Sequence, residues 1–146
     1  MDTVLISPES FEMAHYKAVC RLLRQLTTRD VVLSEEGYNE LVASPSSKLF
    51  LLLRDDEVVG MLTVGMYASP TGTKAWIEDV VVDEAMRGRS IGRLLVNSAI
   101  EYAKTLGGGT LMLTSRPSRE AANALYRSCG FVFKETNNYK MEITAE

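Results

Sequence analysis

The sequence predicts a mixed α/β fold of the α+β class, on two observations. Strand-like apolar runs follow one another directly between residues 48 and 82, separated only by turn residues. A helical pattern after residue 90 then separates the last of these runs from another strand, which is typical of a strand–helix–strand crossover. The first half of the sheet is therefore expected to come from consecutive strands, and the second half from a crossover.

The first half of the chain is predicted to hold two helices and four strands. TVLI is a short strand that ends at Ser7-Pro8, a pair that favours a helix start. Apolar residues from Phe11 to Leu26 then recur on one helical face, and SEEGYNELVAS predicts a shorter second helix. KLFLLLR and EVVGMLTVGMY are strands joined by a hairpin turn at Asp55-Asp56, and KAWIEDVVVD is the strand after the SPTGT turn.

The second half is predicted to hold two more helices and three more strands. From Ile91 to Leu106 apolar residues recur at spacings of three and four, and the pattern ends at Gly107, which indicates a helix of about four turns. TLMLTS is a strand, SREAANALYRSCG a helix closed by Gly130, and FVFKE and YKMEI are final strands. We find no repeat, linker or low-complexity segment, so that residues 1–146 are expected to form one domain.

Composition excludes several function classes. Sixteen Lys and Arg residues against nineteen Asp and Glu give a net charge of −3, which argues against a broad surface for nucleic acid or anionic lipid. The two cysteines and one histidine match neither a disulfide framework nor a metal cluster. No signal peptide or membrane span is expected, and a reducing, cytoplasmic setting fits best.

The stretch RGRSIGRLL, residues 87–95, predicts an anion site. It connects a buried strand to the long helix, and the first turn of a helix has unpaired N–H groups and partial positive charge. Gly88 and Gly92 would let the backbone approach a phosphate or pyrophosphate, while Arg87, Arg89 and Arg93 add charge. The alternative is that the arginines are only solvated and the glycines only form turns.

Two adjacent carboxylates interrupt the apolar strand before this stretch. Strand side chains alternate, so Glu78 and Asp79 are expected on opposite faces, with Glu78 sharing the face of Val80 and Val82 unless a bulge intervenes. A carboxylate in such a strand is costly without a partner or a role. We favour a position in a cleft for Glu78 over a salt bridge, and a structural role for Asp79.

The string VVVDEAMRGRSIGRLL, followed about thirty residues later by ANALYRSCGF, resembles the GCN5-related N-acetyltransferases (GNAT family). The family motif is Arg/Gln-x-x-Gly-x-Gly/Ala after the fourth strand. The resemblance implies a mostly antiparallel sheet of six to seven strands, splayed between strands four and five and flanked by about four helices. Ser90 stands where the family has its first glycine, and we expect serine to exclude a positive φ there.

The resemblance also implies a site for acetyl-CoA and no metal. Val80 and Val82 would pair with the pantetheine arm like an added strand, and an N–H near Val80 or Val81 would polarise the acyl carbonyl. The pyrophosphate would lie on the amides of Gly88, Arg89, Ser90, Ile91, Gly92 and Arg93. Many members have an asparagine seven residues before the helix tyrosine, where this chain has Arg119; of the two alternatives we favour Asn123 for the CoA contact.

The same resemblance implies direct transfer in a ternary complex. Tyr126 matches the tyrosine that protonates the departing thiolate, with a half-buried core aromatic as the alternative. An amine acceptor is mostly protonated at neutral pH, so a base is needed, and Glu78 is the best candidate, directly or through water. Cys20 and Cys129 need no catalytic role.

The sequence leaves the acceptor open. Its binding residues are sought among His15, Tyr16, Tyr38, Tyr67 and Tyr139. A primary amine of a small molecule is the first hypothesis. The alternatives are a peptide or protein amine, an amino-sugar phosphate, or a CoA-binding regulatory module without turnover. A homodimer is a further alternative to a single chain.

Overall fold

The computed structural model describes residues 2–26 and 31–145. Five strands form one sheet in the order β1-β2-β3-β4-β5, antiparallel up to β4 and parallel between β4 and β5. The strands are β1 (Thr3–Ile6), β2 (Ser47–Arg54), β3 (Glu57–Ser69), β4 (Gly72–Val82) and β5 (Thr110–Met112). The helices are α1 (Met13–Leu26), α2 (Glu35–Ala43), α3 (Ile91–Thr105) and α4 (Glu120–Ser128).

This architecture confirms the mixed α+β class and the order of elements up to α4. The hairpin turn lies at Asp55 and Asp56, which both adopt positive φ, as a two-residue turn between twisted strands requires. Ser34 caps α2 by accepting a hydrogen bond from the Gly37 amide at 2.9 Å. The prediction of six to seven strands is wrong for the described residues, which contain five.

The sheet has an apolar core on each face. On one face α3 contributes Ile91, Leu95 and Ala99 to a cluster with Phe50 and Leu52 of β2. On the other face α1 and α2 cover Leu49 and Leu51 of the same strand. The unbroken apolar run KLFLLLR therefore reflects a strand that is buried on both sides.

A β-bulge interrupts β4 beside the two carboxylates. Thr63 pairs with Glu78 and Met61 with Val81, so that Leu62 faces two residues of β4, and Asp79 adopts a left-handed φ of 52°. The bulge shifts the alternation by one residue. Val80 and Val82 pack on the α3 side with Ile77, and Val81 packs on the α1 side. Glu78 was expected to share a face with Val80 and Val82 unless a bulge intervened; the bulge is present, and Glu78 does not share that face.

The sheet splits between β4 and β5. Their ladder runs from Lys74 and Thr110 only as far as Trp76 and Met112, although β4 continues to Val82. From Ile77 onward, the edge of β4 that faces β5 has no strand partner among the described residues. The predicted splay between the fourth and fifth strands is thus present, and it opens a cleft in the sheet.

Residues 131–145 form neither a helix nor a strand. FVFKE and YKMEI were both expected to be strands, but Val132, Phe133, Tyr139, Met141 and Ile143 are each about four-fifths exposed or more. A strand forms only where a partner edge pairs with it, and within the described residues no edge does. Among those residues no helix has the length and apolarity needed to cross a membrane.

Candidate functional site

An open cleft of about 1700 Å³ occupies the split in the sheet. One wall is β4 from Ile77 to Val82, and the opposite wall is the chain that leaves β5, residues 113–116, together with α4. Leu23 and Gln25 of α1 border the cleft on the other face of the sheet. The cleft therefore connects the α3 and α4 side of the sheet with the α1 side.

The N-terminus of α3 closes one end of this cleft. Gly88, Ser90, Ile91 and Gly92 all line it, and the Ser90 carbonyl accepts the first helical hydrogen bond, from Leu94 at 3.1 Å. The amides of the first turn consequently have no partner within the helix and carry partial positive charge. This arrangement suits an anion, and it lies where the sequence predicted an anion site.

Ser90 adopts the left-handed conformation, with φ 62° and ψ 18°. The expectation that serine excludes a positive φ here is therefore wrong. The serine side chain makes no capping hydrogen bond, so that the backbone shape of the loop is kept without any contribution from the hydroxyl. Gly88 also has a positive φ, of 79°. The backbone at position 90 thus has the left-handed conformation that glycine favours, although serine tolerates this conformation less well than glycine does.

The three arginines of the loop have different positions. Arg87 and Arg93 line the cleft, whereas Arg89 is exposed and is not part of its wall. Arg93 also donates to the Ser128 hydroxyl of α4 at 2.6 Å, and so joins the start of α3 to the end of α4. Two of the three loop arginines are therefore placed to face an anion.

Gly92 has a packing role beside its place in the cleft. A Cβ at this position would lie 3.1 Å from Leu125 Cδ2 of α4 and 3.7 Å from Val82 Cγ2. The absence of a side chain lets α4 approach the first turn of α3 closely. The sequence predicted for Gly92 only a role in access of the ligand to the backbone, and the sequence pattern did not indicate its contact with α4.

Glu78 and Asp79 both line the cleft. Although the Glu78 side chain is open to the cleft, partial burial of its carboxyl group raises its pKa, and the neighbouring charge of Asp79 raises it further. Burial also raises the pKa of Asp79. A carboxyl group whose pKa is moved toward neutral pH is suited to accepting a proton.

Tyr126 of α4 lies on the opposite wall and is buried. Its ring packs edge-on against Phe131, with 6.2 Å between ring centroids. Burial raises the pKa of the Tyr126 phenol, and the nearby Cys129 adds to this while Arg119 opposes it. The Tyr126 phenol therefore stays protonated at neutral pH.

The two candidates for the additional cofactor contact differ in position. Arg119 lines the cleft, whereas Asn123 does not. The Asn123 side-chain amide donates to the carbonyls of Arg116 and Arg119 at 2.9 and 2.8 Å, and so fixes the turn that leads into α4. The preference for Asn123 over Arg119 is therefore not supported by the geometry.

None of the expected acceptor residues lies on the cleft wall: His15, Tyr16, Tyr38, Tyr67 and Tyr139 are all elsewhere. Tyr38 is fully buried, and the Tyr16 hydroxyl donates to the Leu33 carbonyl at 2.7 Å. Sequence reasoning missed Arg116, which lines the cleft, and Ser115, whose buried hydroxyl has no partner in the described part of the chain. Both follow directly after a short strand, a position where site residues often occur.

Helix α1 holds the base of the loop between β4 and α3. Arg21 pairs with Asp83, the residue after β4, and donates to the Val58 carbonyl at 2.9 Å. Gln25 accepts a hydrogen bond from the Glu84 amide at 3.0 Å. The end of β4 is therefore fixed from the opposite face of the sheet. Among residues 2–26 and 31–145, no group of three His, Cys, Asp or Glu side chains is arranged to hold a metal.

Comparisons with known proteins find several acetyltransferases. N-alpha-acetyltransferase RimI of Mycobacterium tuberculosis is 28% identical over 130 residues, which cover 89% of this chain and 80% of that protein. Aminoalkylphosphonate N-acetyltransferase of Salmonella typhimurium is 30% identical over 121 residues, covering 80% and 75%. The crystal structure of an aminoglycoside acetyltransferase from an uncultured soil metagenomic sample superposes with a TM-score of 0.87 at 16% identity, and covers 97% of both chains.

The sequence profile of the Acetyltransferase (GNAT) family matches residues 16–131. This span includes the bulged strand β4, the loop at the start of α3 and the tyrosine of α4. Since the match covers well over half of the chain, the protein belongs to the GNAT family and is an acyl-CoA-dependent acetyltransferase.

Proposed function

We propose that this acetyltransferase moves the acetyl group of acetyl-CoA to a primary amine of a small molecule, by direct attack in a ternary complex. Support for this activity comes from the cleft, whose walls include the first turn of α3, the open edge of β4, Glu78 and Tyr126. Residues from both sides of the sheet line the cleft, so donor and acceptor are proposed to enter it from opposite sides. Direct attack requires both to be bound at the same time.

The residues present fit acetyl-CoA. The unpaired amides at the start of α3 suit the pyrophosphate, with Arg87 and Arg119 on the cleft wall as additional charges. The free edge of β4 from Val80 to Val82 suits the pantetheine arm, whose amides can pair with it like a strand. We assign Arg119 rather than Asn123 to the cofactor, because only Arg119 lines the cleft.

The acceptor, an ammonium ion at neutral pH, loses one proton before attack and a second as its nitrogen bonds to the acetyl carbon. As the C–S bond breaks, the CoA sulfur gains one proton, and the other leaves to solvent. Glu78 is the proposed base, directly or through water, because its raised pKa suits proton acceptance near neutral pH. Tyr126 is the proposed acid, because burial keeps its phenol protonated. An amide near Val80 or Val81 is proposed to polarise the carbonyl.

A small-molecule amine with an anionic group is the acceptor class we favour. Arg116, in the chain that follows β5, adds positive charge to the cleft beyond the residues assigned to the cofactor. The Salmonella relative is named for aminoalkylphosphonates, which carry an amine and an anion. The relative from M. tuberculosis is named for α-amines instead, so that a peptide acceptor is the second candidate.

Thiol release from acetyl-CoA over a panel of acceptors tests the proposal. The panel should contain alkylamines, aminoalkylphosphonates, amino-sugar phosphates, polyamines and peptides with free α-amines. We expect the highest kcat/KM for a phosphorylated or phosphonylated amine. Turnover of peptides alone would overturn the small-molecule assignment, and tight CoA binding without any turnover would indicate a regulatory binding module.

The role of Glu78 is tested with Glu78→Gln. We expect kcat to fall by about 100-fold or more, because general base catalysis contributes about 10²–10⁴. Affinity for acetyl-CoA should change little. Glu120→Gln is the matched control, since Glu120 lines the same cleft from the first turn of α4. Equal activity of the two variants would remove Glu78 as the base.

A further inference from the structure

Two aromatic side chains of the sheet lie outside its apolar cores. The core beneath α1 and α2 includes Leu49 of β2, Met61 of β3 and Val81 of β4. Trp76 and Tyr67, which lie nearer the turn between β3 and β4, belong to neither of the two cores of the described residues. Tyr67 is 51% exposed. The sheet therefore carries aromatic rings beyond the border of the core on the α1 side.

Trp76 lies on the same face of β4 as the proposed base. Ala75 and Ile77 both pack in the core on the α3 side, and strand side chains alternate. Trp76 and Glu78 therefore point to the α1 side. Both precede the bulge at Asp79, so that the alternation between them is regular. Two residues of a strand span about 6.6 Å, which places the Trp76 ring one strand step from Glu78.

β3 leaves open space beside the Trp76 ring. Gly65 pairs with Trp76 across the ladder, and a Cβ at Gly65 would meet no atom within 4 Å. Glycine inside a strand often marks a site that a ligand approaches closely. Tyr67 follows Gly65 on the same face, and its hydroxyl accepts a hydrogen bond from Trp76 Nε1 at 3.3 Å. The two rings therefore form one unit beside an open position.

This aromatic surface is continuous with the cleft. Met112 of β5 pairs with Trp76 in the parallel ladder and so borders the ring on its other side. Thr114, two residues after Met112, lines the cleft, as Glu78 does. A ligand that reaches Glu78 from the α1 side can therefore extend along β4 onto the rings. The residues of this surface, here called the aromatic face, are Gly65, Tyr67, Trp76 and Met112.

The charges around the aromatic face favour an uncharged ring over a second cation. Lys74 follows Trp76 on the same side of β4, and its Nζ donates to the hydroxyls of Ser69 and Thr71. In the described part of the chain no carboxylate pairs with Lys74. A polyamine on the aromatic face would bring its second ammonium toward this lysine, and like charges repel. A flat ring stacks on the Trp76 indole without this cost.

We propose that the aromatic face binds a flat ring of the acceptor, so that the preferred acceptor is a primary amine joined to an aromatic ring by a short alkyl chain. The strand step of about 6.6 Å from Glu78 to Trp76 is comparable with the separation of amine and ring in a 2-arylethylamine. This inference rests on the proposed function, because it places the reacting amine at Glu78. It adds a ring to the anionic group already proposed for the acceptor.

Two acceptors that differ in the ring test this specificity. Phosphotyramine and 6-aminohexyl phosphate both carry a primary amine and a phosphate, but only phosphotyramine has a ring. We expect kcat/KM to be about five-fold or more higher for phosphotyramine, because stacking adds to the gain from burial. Equal values for the two acceptors would overturn the inference. Turnover of both would at the same time leave the proposed function intact.

Trp76→Leu should lower kcat/KM for phosphotyramine by about five-fold or more, because it removes the stacking surface. The kcat/KM for 6-aminohexyl phosphate and the KM for acetyl-CoA should not change. Trp76→Phe is the conservative variant and should keep most of the preference for the ring. Equal losses with the two acceptors in Trp76→Leu would assign its effect to a general disturbance of β4 and contradict the inference.

Gly65→Val tests the same face by adding bulk instead of removing it. The open space at Gly65 accepts a side chain, and a β-branched residue suits a strand. We expect the KM for phosphotyramine to rise by about five-fold or more, because the added side chain occupies the space of the ring. Ala68→Val is the matched control, since Ala68 is exposed on the opposite face of β3. Equal KM values in the two variants would contradict a ring site at Gly65.

Tryptophan fluorescence decides the case even if no small amine is turned over. Trp76 is the single tryptophan of the chain, so its emission reports on the aromatic face alone. With CoA present, phosphotyramine should change the emission in a saturable way, whereas 6-aminohexyl phosphate should not. Unchanged emission with phosphotyramine would overturn the inference. A saturable change without turnover would support the ring site and count against the proposed function only.

Discussion

Asp79 affects both the backbone conformation of β4 and the pKa of the neighbouring Glu78. It adopts a left-handed φ of 52°, which asparagine and aspartate tolerate better than most residues, and it creates the bulge that separates Glu78 from Val80. Its charge also raises the pKa of Glu78, in addition to the effect of burial. A single residue thus contributes both to the backbone bulge next to the proposed base and to the raised pKa of that base.

Asp79→Asn should separate these two effects, because asparagine keeps the backbone conformation and removes the charge. The pKa of Glu78 should fall, and since the base must be deprotonated, the acidic limb of kcat/KM should move to lower pH. Asp55→Asn is the control, as Asp55 has a similar φ of 51° in the turn between β2 and β3. An acidic limb that moves equally in both variants, or in neither, would contradict the coupling.

Ser90 allows a second test at the scale of one residue. Its φ of 62° suits glycine, and its side chain makes no capping hydrogen bond. Ser90→Gly should therefore change the free energy of unfolding by less than about 1 kcal/mol, since relief of strain and added chain entropy offset each other. Ser90→Val should lower it by about 1–2 kcal/mol and weaken acetyl-CoA binding, because a β-branched residue disfavours this conformation. Urea unfolding and calorimetry measure both effects, and equal behaviour of the two variants would contradict a role for the left-handed turn.

At the scale of elements, α1 acts on the site through the end of β4. Burial of Asp83 would raise its pKa, but the hydrogen bonds from Arg21 and from the Ala85 amide outweigh this and lower it. A carboxyl group whose pKa is lowered in the folded state stabilises that state at pH values above its pKa in the unfolded chain, which is about 3.9. This contribution is lost as the pH falls through the pKa of the group in the folded state.

Arg21→Ala should therefore lower the free energy of unfolding by about 1 kcal/mol at neutral pH, a modest value because the pair is partly exposed. The difference from the unmodified protein should shrink below about pH 4, where Asp83 becomes protonated. The KM for acetyl-CoA should rise, because the base of the loop is released. Arg24→Ala on the same helix is the control, with urea unfolding at two pH values as the measurement. A difference that persists in acid would assign the effect to packing alone.

An element could be predicted where residues close in sequence determine it. The spacing of the apolar residues in KLFLLLR and after Ser90 is such a feature, and β2 and α3 form at these two places. The bulge at Asp79 depends on the register with β3, a non-local feature, so that the alternation around Glu78 was predicted on the wrong face. The positive φ of Ser90 is imposed by the junction between a strand and a helix, and it overrides the preference of serine.

In the whole molecule, too, features that neighbouring residues determine could be predicted, and features that depend on distant contacts could not. The alternation of Tyr139, Met141 and Ile143 is visible in the sequence, and it predicted a strand. Whether a strand forms depends on the edge that receives it, and among the described residues no edge pairs with this segment. The anion site, in contrast, needs only a helix start and its preceding loop, which are adjacent in sequence. The loop and helix start that are proposed to bind an anion could therefore be recognised from the sequence alone.

The distribution of charge over the molecule leads to a final prediction. The net charge is −3, yet Arg87, Arg93, Arg116 and Arg119 all line one cleft. Attraction between these arginines and the phosphates of acetyl-CoA is screened by salt, with a Debye length of about 10 Å at 0.1 M. We expect the dissociation constant of acetyl-CoA to rise several-fold between about 50 and 500 mM KCl.

S-acetylpantetheine, which lacks the phosphates, should bind more weakly but with little salt dependence. Arg87→Gln should flatten the salt dependence for acetyl-CoA, whereas Arg127→Gln, an exposed residue of α4 outside the cleft, should not. A contact between the phosphates and the cleft arginines makes the salt dependence require both the phosphates of the ligand and Arg87. If calorimetric titrations give the two ligands the same change in dissociation constant with salt, the phosphates do not contact these arginines.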